Sequence, residues 1–140
     1  MNEKILGLLG LMRRASAISL GEDNSLDTIR DGKGKILILA HDVSDNARRR
    51  AENTSSGRNV ETVELPASRE ELGAALGMSA CSMAVVTDLG FADALARLLA
   101  AEDPGKYGEL AERVLARRER ADRRKAQKGK KRVGTRRTNV

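Results

Sequence analysis
A chain of 140 residues, 40% hydrophobic but 1% aromatic, is long enough for one domain with its own core and obliges that core to be aliphatic. Its net charge of +6 is segregated: residues 113–140 carry 13 Lys+Arg and 2 acids, net +11, leaving 13 against 18, net −5, for residues 1–112. Phe91 and Tyr107 are the only aromatic residues, so stacking of bases on rings is nearly excluded, whereas a basic tail on a mildly acidic body suits a polyanionic partner.

Ile5, Leu8, Leu9 and Met12 recur at helical spacing, and Arg13 and Arg14 suit the C-terminal end of that helix. AISL, residues 17–20, reads as a short strand, after which Gly21 lets the chain turn into a helix that carries Leu26 and Ile29 inward and stops at Gly32. KILILA, residues 35–40, is a continuous β-branched run of the kind buried on both faces of a sheet. Ser44–Ser56 is a polar helix capped by Ser44 or Asp45, and ETVEL, residues 61–65, alternates as the next strand. Ser68 with Glu71 three residues on forms a capping box for a helix to Leu76. CSMAVVTD, residues 81–88, is the last strand, and Asp88 caps a helix to Ala100 that turns Phe91, Leu95, Leu98 and Leu99 inward.

Alternating strands and helices predict an α/β fold, a three-layer α/β/α sandwich around a small four-stranded sheet, mainly parallel or mixed. Asp103, Pro104 and Gly105 then break the chain, separating a domain over residues 1–103 from a basic extension over residues 104–140. Leu110, Val114 and Leu115 anchor a terminal helix there to about Ala126; the remainder has no apolar period and is expected to be disordered in isolation.

The candidate chemistry is thin. DGKGK, residues 31–35, lacks the phosphate-loop spacing and precedes a strand, so it reads as a helix stop and turn. Cys81, His41 and Asp42 invite a nucleophile, base and orienter, but as residue types without a local signature they read more simply as a small apolar thiol and a loop. One His and one Cys cannot supply a closed tetrahedral N/S set without unpatterned carboxylates, so neither metal nor cofactor is expected, and with the triad this thin the chain does not read as an enzyme. Glu70 and Glu71 suit a helix first turn, and Arg48, Arg49 and Arg50 offer part of a phosphate-contacting face. A lone cysteine fits a reducing compartment, and Ile5–Met12 is too short to span a bilayer and lacks a signal-peptide cleavage pattern. A cytoplasmic protein without a membrane partner is expected.

The order of GLLGLMRRA, SLGEDNSLDTIRDGKGKILILAHDVS, SREELGAALG and AVVTDLGFADAL resembles the kink-turn RNA-binding ribosomal-protein family of the archaeal L7Ae type, in its bacterial YlxQ-like branch. The resemblance covers residue 3 to about residue 100 and implies an α/β/α sandwich, no catalytic activity, and a structured RNA, in the first place ribosomal RNA or the ribosome, as partner. In such proteins the glycine before the second helix and the first turn of that helix read sheared G·A pairs, and the loop before the last strand packs against an extruded nucleotide. Carried over, the glycine is Gly21, the polar residues are Glu22, Asp23 and Asn24, and the loop is Met78, Ser79, Ala80, Cys81 and Ser82. Lys33 and Lys35 are assigned to the same face as backbone contacts. Carboxylates at Glu22 or Asp23 accept from guanine N1–H and N2–H, and the Asn24 amide both donates and accepts. The pattern departs at Asp27, where the family has a lysine and a carboxylate would repel a phosphate. That departure leaves a second reading, a protein interaction module of translation or ribosome assembly with a degenerate RNA surface.

Overall fold
A computed structural model describes residues 2–138. In chain order it comprises α1 (Glu3–Arg14), β1 (Ile18–Leu20), α2 (Glu22–Arg30), β2 (Ile36–Leu39), α3 (Asp45–Ser55), β3 (Glu61–Glu64), α4 (Arg69–Leu76), β4 (Met83–Val86), α5 (Leu89–Glu102) and α6 (Pro104–Thr138). The strands form one sheet in the order β1-β4-β2-β3. β4 runs antiparallel to both β1 and β2, while β2 and β3 are parallel. This is the mixed four-stranded α/β/α sandwich expected from the alternation.

Alternation along the buried strands feeds two aliphatic layers. Leu37, Leu39, Met83 and Val85 face α2 and α3, meeting Leu26, Ile29, Ala47 and Ala51. Ile36, Ile38, Ala84 and Val86 face the other helices, meeting Ile5, Leu9, Leu72, Leu95 and Leu99. The caps are those written in the sequence: Ser44 accepts from Ala47 N, Asp88 from Phe91 N, and Ser68 with Glu71 completes its capping box. The inward stripe of α5 is rotated from expectation to Ala92, Leu95, Ala96 and Leu99, with Phe91 and Leu98 only half-buried at its margins. Small alanines let this helix sit close to the sheet, and the bulkier side chains take the flanks.

The first turns of α6 belong to the core. Pro104 opens the helix after Asp103, whose carboxylate accepts from Lys106 N, and Tyr107, Leu110 and Val114 are buried with the α5 layer. Leu115, expected to anchor the helix, is exposed. Tyr107 also donates its hydroxyl to the Glu64 carbonyl, and Arg113 pairs with Glu61, so α6 crosses and covers the edge strand β3. The helix is tied down by Asp93, 1% exposed on α5, whose carboxylate receives Arg97 at 2.9 Å and Arg118 at 2.7 Å. The residues after Ala121 are exposed as far as Gly129, yet the helix runs on to Thr138 instead of ending near Ala126. Ala, Arg, Lys and Gln are strong helix formers, and once the docked turns have nucleated the helix, extension costs little. Asn139 and Val140, also expected to be disordered, lie outside the described residues.

Arg118→Ala leaves Asp93 with Arg97 alone and removes the polar lock on α6. Urea unfolding is expected to show a loss of roughly 1–3 kcal/mol; an unchanged midpoint and slope would mean the docking is purely apolar.

Candidate nucleic-acid interface
Because β1, β2 and β3 all point the same way and β4 the other, every loop falls at one of two opposite sheet edges. At one edge Gly21 N donates to Met83 O at 3.1 Å, Ala40 N to Ser82 O at 2.9 Å, His41 N to Ala67 O at 2.9 Å and Cys81 N to Arg69 O at 2.9 Å. These bonds bring Gly21 and the first turn of α2 beside the 78–82 loop, two segments some sixty residues apart in sequence.

Gly21 takes φ 84° and ψ 167°, a conformation open essentially to glycine alone, and an added Cβ there would meet open space. The constraint is therefore on the backbone, and the surface above it is free for close approach by a ligand. Asp23 and Asn24 follow on the exposed first turn; the Asn24 amide donates to Leu20 O at 3.0 Å, which leaves its carbonyl oxygen to accept. Glu22 is otherwise engaged, since Arg50 of α3 reaches it with a fork at 2.6 and 2.9 Å. That hydrogen bond holds the Glu22 carboxyl below the usual carboxylate range. Arg48 is likewise used by Glu64, leaving Arg49 as the exposed remainder of the arginine cluster. Asp27 is exposed one turn on and pairs with Arg30 at 3.1 Å.

In the facing loop, Met78, Ser79 and Ala80 are exposed, Ser82 is half-buried and Cys81 is buried. The loop is shaped by Gly73, where a Cβ would stand 2.8 Å from the Ala80 backbone and from Met78 O. Gly77 ends α4 with φ 73°, and the Arg13 guanidinium lies against it, so α1 contributes a cation that sequence reasoning did not assign to this loop. The signal was faint: Arg13 reads as an ordinary helix-end charge. Burial pushes the Cys81 thiol pKa up, and Sγ donates to Met83 O at 3.2 Å, while Asp42 caps α4 through Arg69 N at 2.8 Å. Cys81 and Asp42, weighed with His41 as a catalytic set, thus have separate structural occupations.

Lys33 and Lys35 do not join this edge. Lys35 N donates to Val86 O and Glu61 N to Lys35 O, which fixes both lysines at the opposite end of the sheet. The sequence reading placed them on the Gly21 face, but α2 spans the sheet and delivers them to its far edge.

A family model described as the ribosomal protein L7Ae/L30e/S12e/Gadd45 family matches residues 3–96. The RNA-binding protein YlxQ of Bacillus subtilis (strain 168) is 35% identical over 92 residues, 66% of this chain and 91% of that protein. The RNA-binding protein YlxQ of Enterococcus faecium is 35% identical over 63 residues, 45% of this chain and 61% of that protein. Among solved structures, a protein of unknown function from Bacillus halodurans C superposes with a TM-score of 0.64 at 27% identity, covering 69% of this chain and 97% of that one. A Giardia lamblia 15.5kD RNA binding protein gives 0.55 at 26% identity, covering 79% and 92%.

Two expectations follow from the site geometry. Gly73→Ala, forced against the loop backbone, should lower stability by about 1–3 kcal/mol in denaturant unfolding; no loss would mean that the α4–loop contact yields freely. The depressed pKa of Glu22 adds stability above the unfolded carboxylate pKa of about 4.3 that is lost as pH falls through the folded value. Glu22→Gln should therefore be less stable than the parent near pH 7 and converge with it in acid; a pH-independent difference would exclude the Arg50 pair as its source.

Proposed function
The chain belongs to the ribosomal protein L7Ae/L30e/S12e/Gadd45 family, and from that premise we propose that it is a non-catalytic RNA-binding protein of the cytoplasm that recognises a folded RNA, in the first place ribosomal RNA, through the Gly21 edge. The observation that carries this reading is the meeting of a glycine-only backbone at Gly21 with the small, exposed loop at Met78–Ala80, flanked by Asp23 and Asn24. A guanine edge is read there by acceptors: the Asp23 carboxylate and the Asn24 carbonyl face outward and match guanine N1–H and N2–H. Glu22, saturated by Arg50, positions α3 against α2 instead of touching a base. An extruded base rests on Met78 and Ala80 without aromatic stacking, and α6 adds a mobile-counterion term through its many cations. Among the described residues no helix is long and apolar enough to cross a membrane.

Asp27, exposed where the family's lysine would stand, favours the competing reading of a protein interaction module. Binding to a kink-turn RNA, measured beside the same RNA with its G·A pairs replaced, separates the two. Recognition through the Gly21 edge should give roughly a 5- to 150-fold preference for the intact motif, the worth of one bidentate base contact of ~1–3 kcal/mol. Gly21→Val should abolish the preference. Equal binding to both RNAs would reject kink-turn reading, and no binding to either would leave the protein-partner reading in its place. Deleting residues 119–140, past the Asp93 lock, should weaken RNA binding and flatten its salt slope.

A further inference from the structure
The edge opposite Gly21 holds a group of cations that the family motif does not use. Lys35 opens β2, Arg58 and Asn59 come from the α3–β3 connection, and Arg117 comes from α6. Arg58, Asn59, Arg117 and the backbone at Gly32 and Gly34 surround a hollow of about 310 Å³, floored by Ile29 and Val60. A second hollow of about 350 Å³ on the other side of α6 is lined by Lys35, Arg118 and Lys125, with Asp88 and Asp122 at its rim.

The charges here are only partly balanced within the protein: Asp88 favours the Lys35 cation and Glu61 the Arg117 cation, and Arg58 donates to Arg30 O at 3.3 Å. Arg113 is taken by Glu61 and Arg118 by Asp93, but neither Lys35 nor Arg117 forms a salt bridge among the described residues. Both are half-buried. Burial lowers the Lys35 pKa and the Arg117 charge beside it lowers it further, and burial lowers that of Arg117. Two like charges held side by side and partly dehydrated cost stability, a cost that a bound anion removes. The hollow fits more than a phosphate: the Arg58 and Arg117 guanidinium groups and the Ile29 and Val60 side chains that line it suit the face of a base, and the Asn59 amide can pair with its edge.

We propose that this edge is a second RNA contact, in which an unpaired strand is held by its phosphates at Lys35, Arg58 and Arg117 with one base over Ile29 and Val60. From there the strand continues along the exposed cations of α6. The proposal rests on the RNA-binding reading but not on kink-turn recognition.

Fluorescence anisotropy of the full chain with a labelled twelve-nucleotide oligouridylate, which cannot form a kink-turn, tests it. Lys35→Ala/Arg58→Ala/Arg117→Ala should weaken binding at least tenfold and reduce the log–log salt slope by about 2, as three lost phosphate contacts on a single strand would. Arg58→Glu alone, at a solvent-exposed position, should weaken binding more than Lys4→Ala weakens it, with the thermal midpoint of each variant confirming its fold. Inorganic polyphosphate at equal charge should compete less well than unlabelled oligouridylate. Parent-like binding by the triple variant, or equal effects of Arg58→Glu and Lys4→Ala, would overturn the groove while leaving the RNA reading intact. Equal competition by polyphosphate would overturn the base platform and with it the proposal as stated. Failure of the parent protein to bind either oligouridylate or kink-turn RNA would overturn both readings.

Discussion
The pairing of β4 governs the rest of the structure. Its four residues, Met83–Val86, are completely buried, and the strand lies antiparallel between β1 and β2. That single arrangement sets Ala84 and Val86 toward one helical layer and Met83 and Val85 toward the other. It also sorts the connections: the start of β4 meets the ends of β1 and β2, and its end meets their beginnings. A change of register by one residue would invert both layers and separate Gly21 from the 78–82 loop.

This geometry reconciles a mildly acidic body with a polyanionic ligand. The Gly21 edge gathers Glu22, Asp23, Asp27 and Asp42, of which Glu22, Asp27 and Asp42 are matched by Arg50, Arg30 and Arg69. Acceptors at a helix N-terminus are stabilised by its dipole and suit the donor edge of guanine, but they add nothing toward phosphates. Cations collect instead at the far edge and on α6. The proposed reading and holding surfaces therefore lie at opposite ends of the sheet, about 13 Å apart across four strand residues. The exposed residues 122–129 of α6, at about 1.5 Å per residue, extend the basic surface by roughly 12 Å.

Local physics was legible in the sequence. The apolar run at Ile36–Leu39, the Ser68–Glu71 box, the Asp88 cap and the glycine before α2 each act within a few residues, and each sits where its residue type demands. The family motif brought Gly21 and the 78–82 loop together before any coordinates did, and their proximity is what the sheet order produces. Long-range charge placement was not legible. Glu22 and Arg50 are separated by 28 positions, and Asp93 and Arg118 by 25, so neither pair carries a periodic signature. Asp93 and Arg97 at one-turn spacing look like a surface pair, yet Asp93 is buried where α6 docks while Arg97 stays exposed. Lys33 and Lys35 were misplaced for the same reason: the direction of the chain across the sheet cannot be read from what precedes it.

Joint use of two separated edges by one bound RNA is open to a direct test. Backbone amide shifts of the labelled protein, followed as a structured RNA carrying a single-stranded extension is added, address it residue by residue. Two patches should move together: Gly21–Asn24 with Ser79–Ser82, and Lys33–Lys35 with Arg58–Val60. Shifts confined to one edge, or spread over the outer faces of α1 and α5, would contradict it.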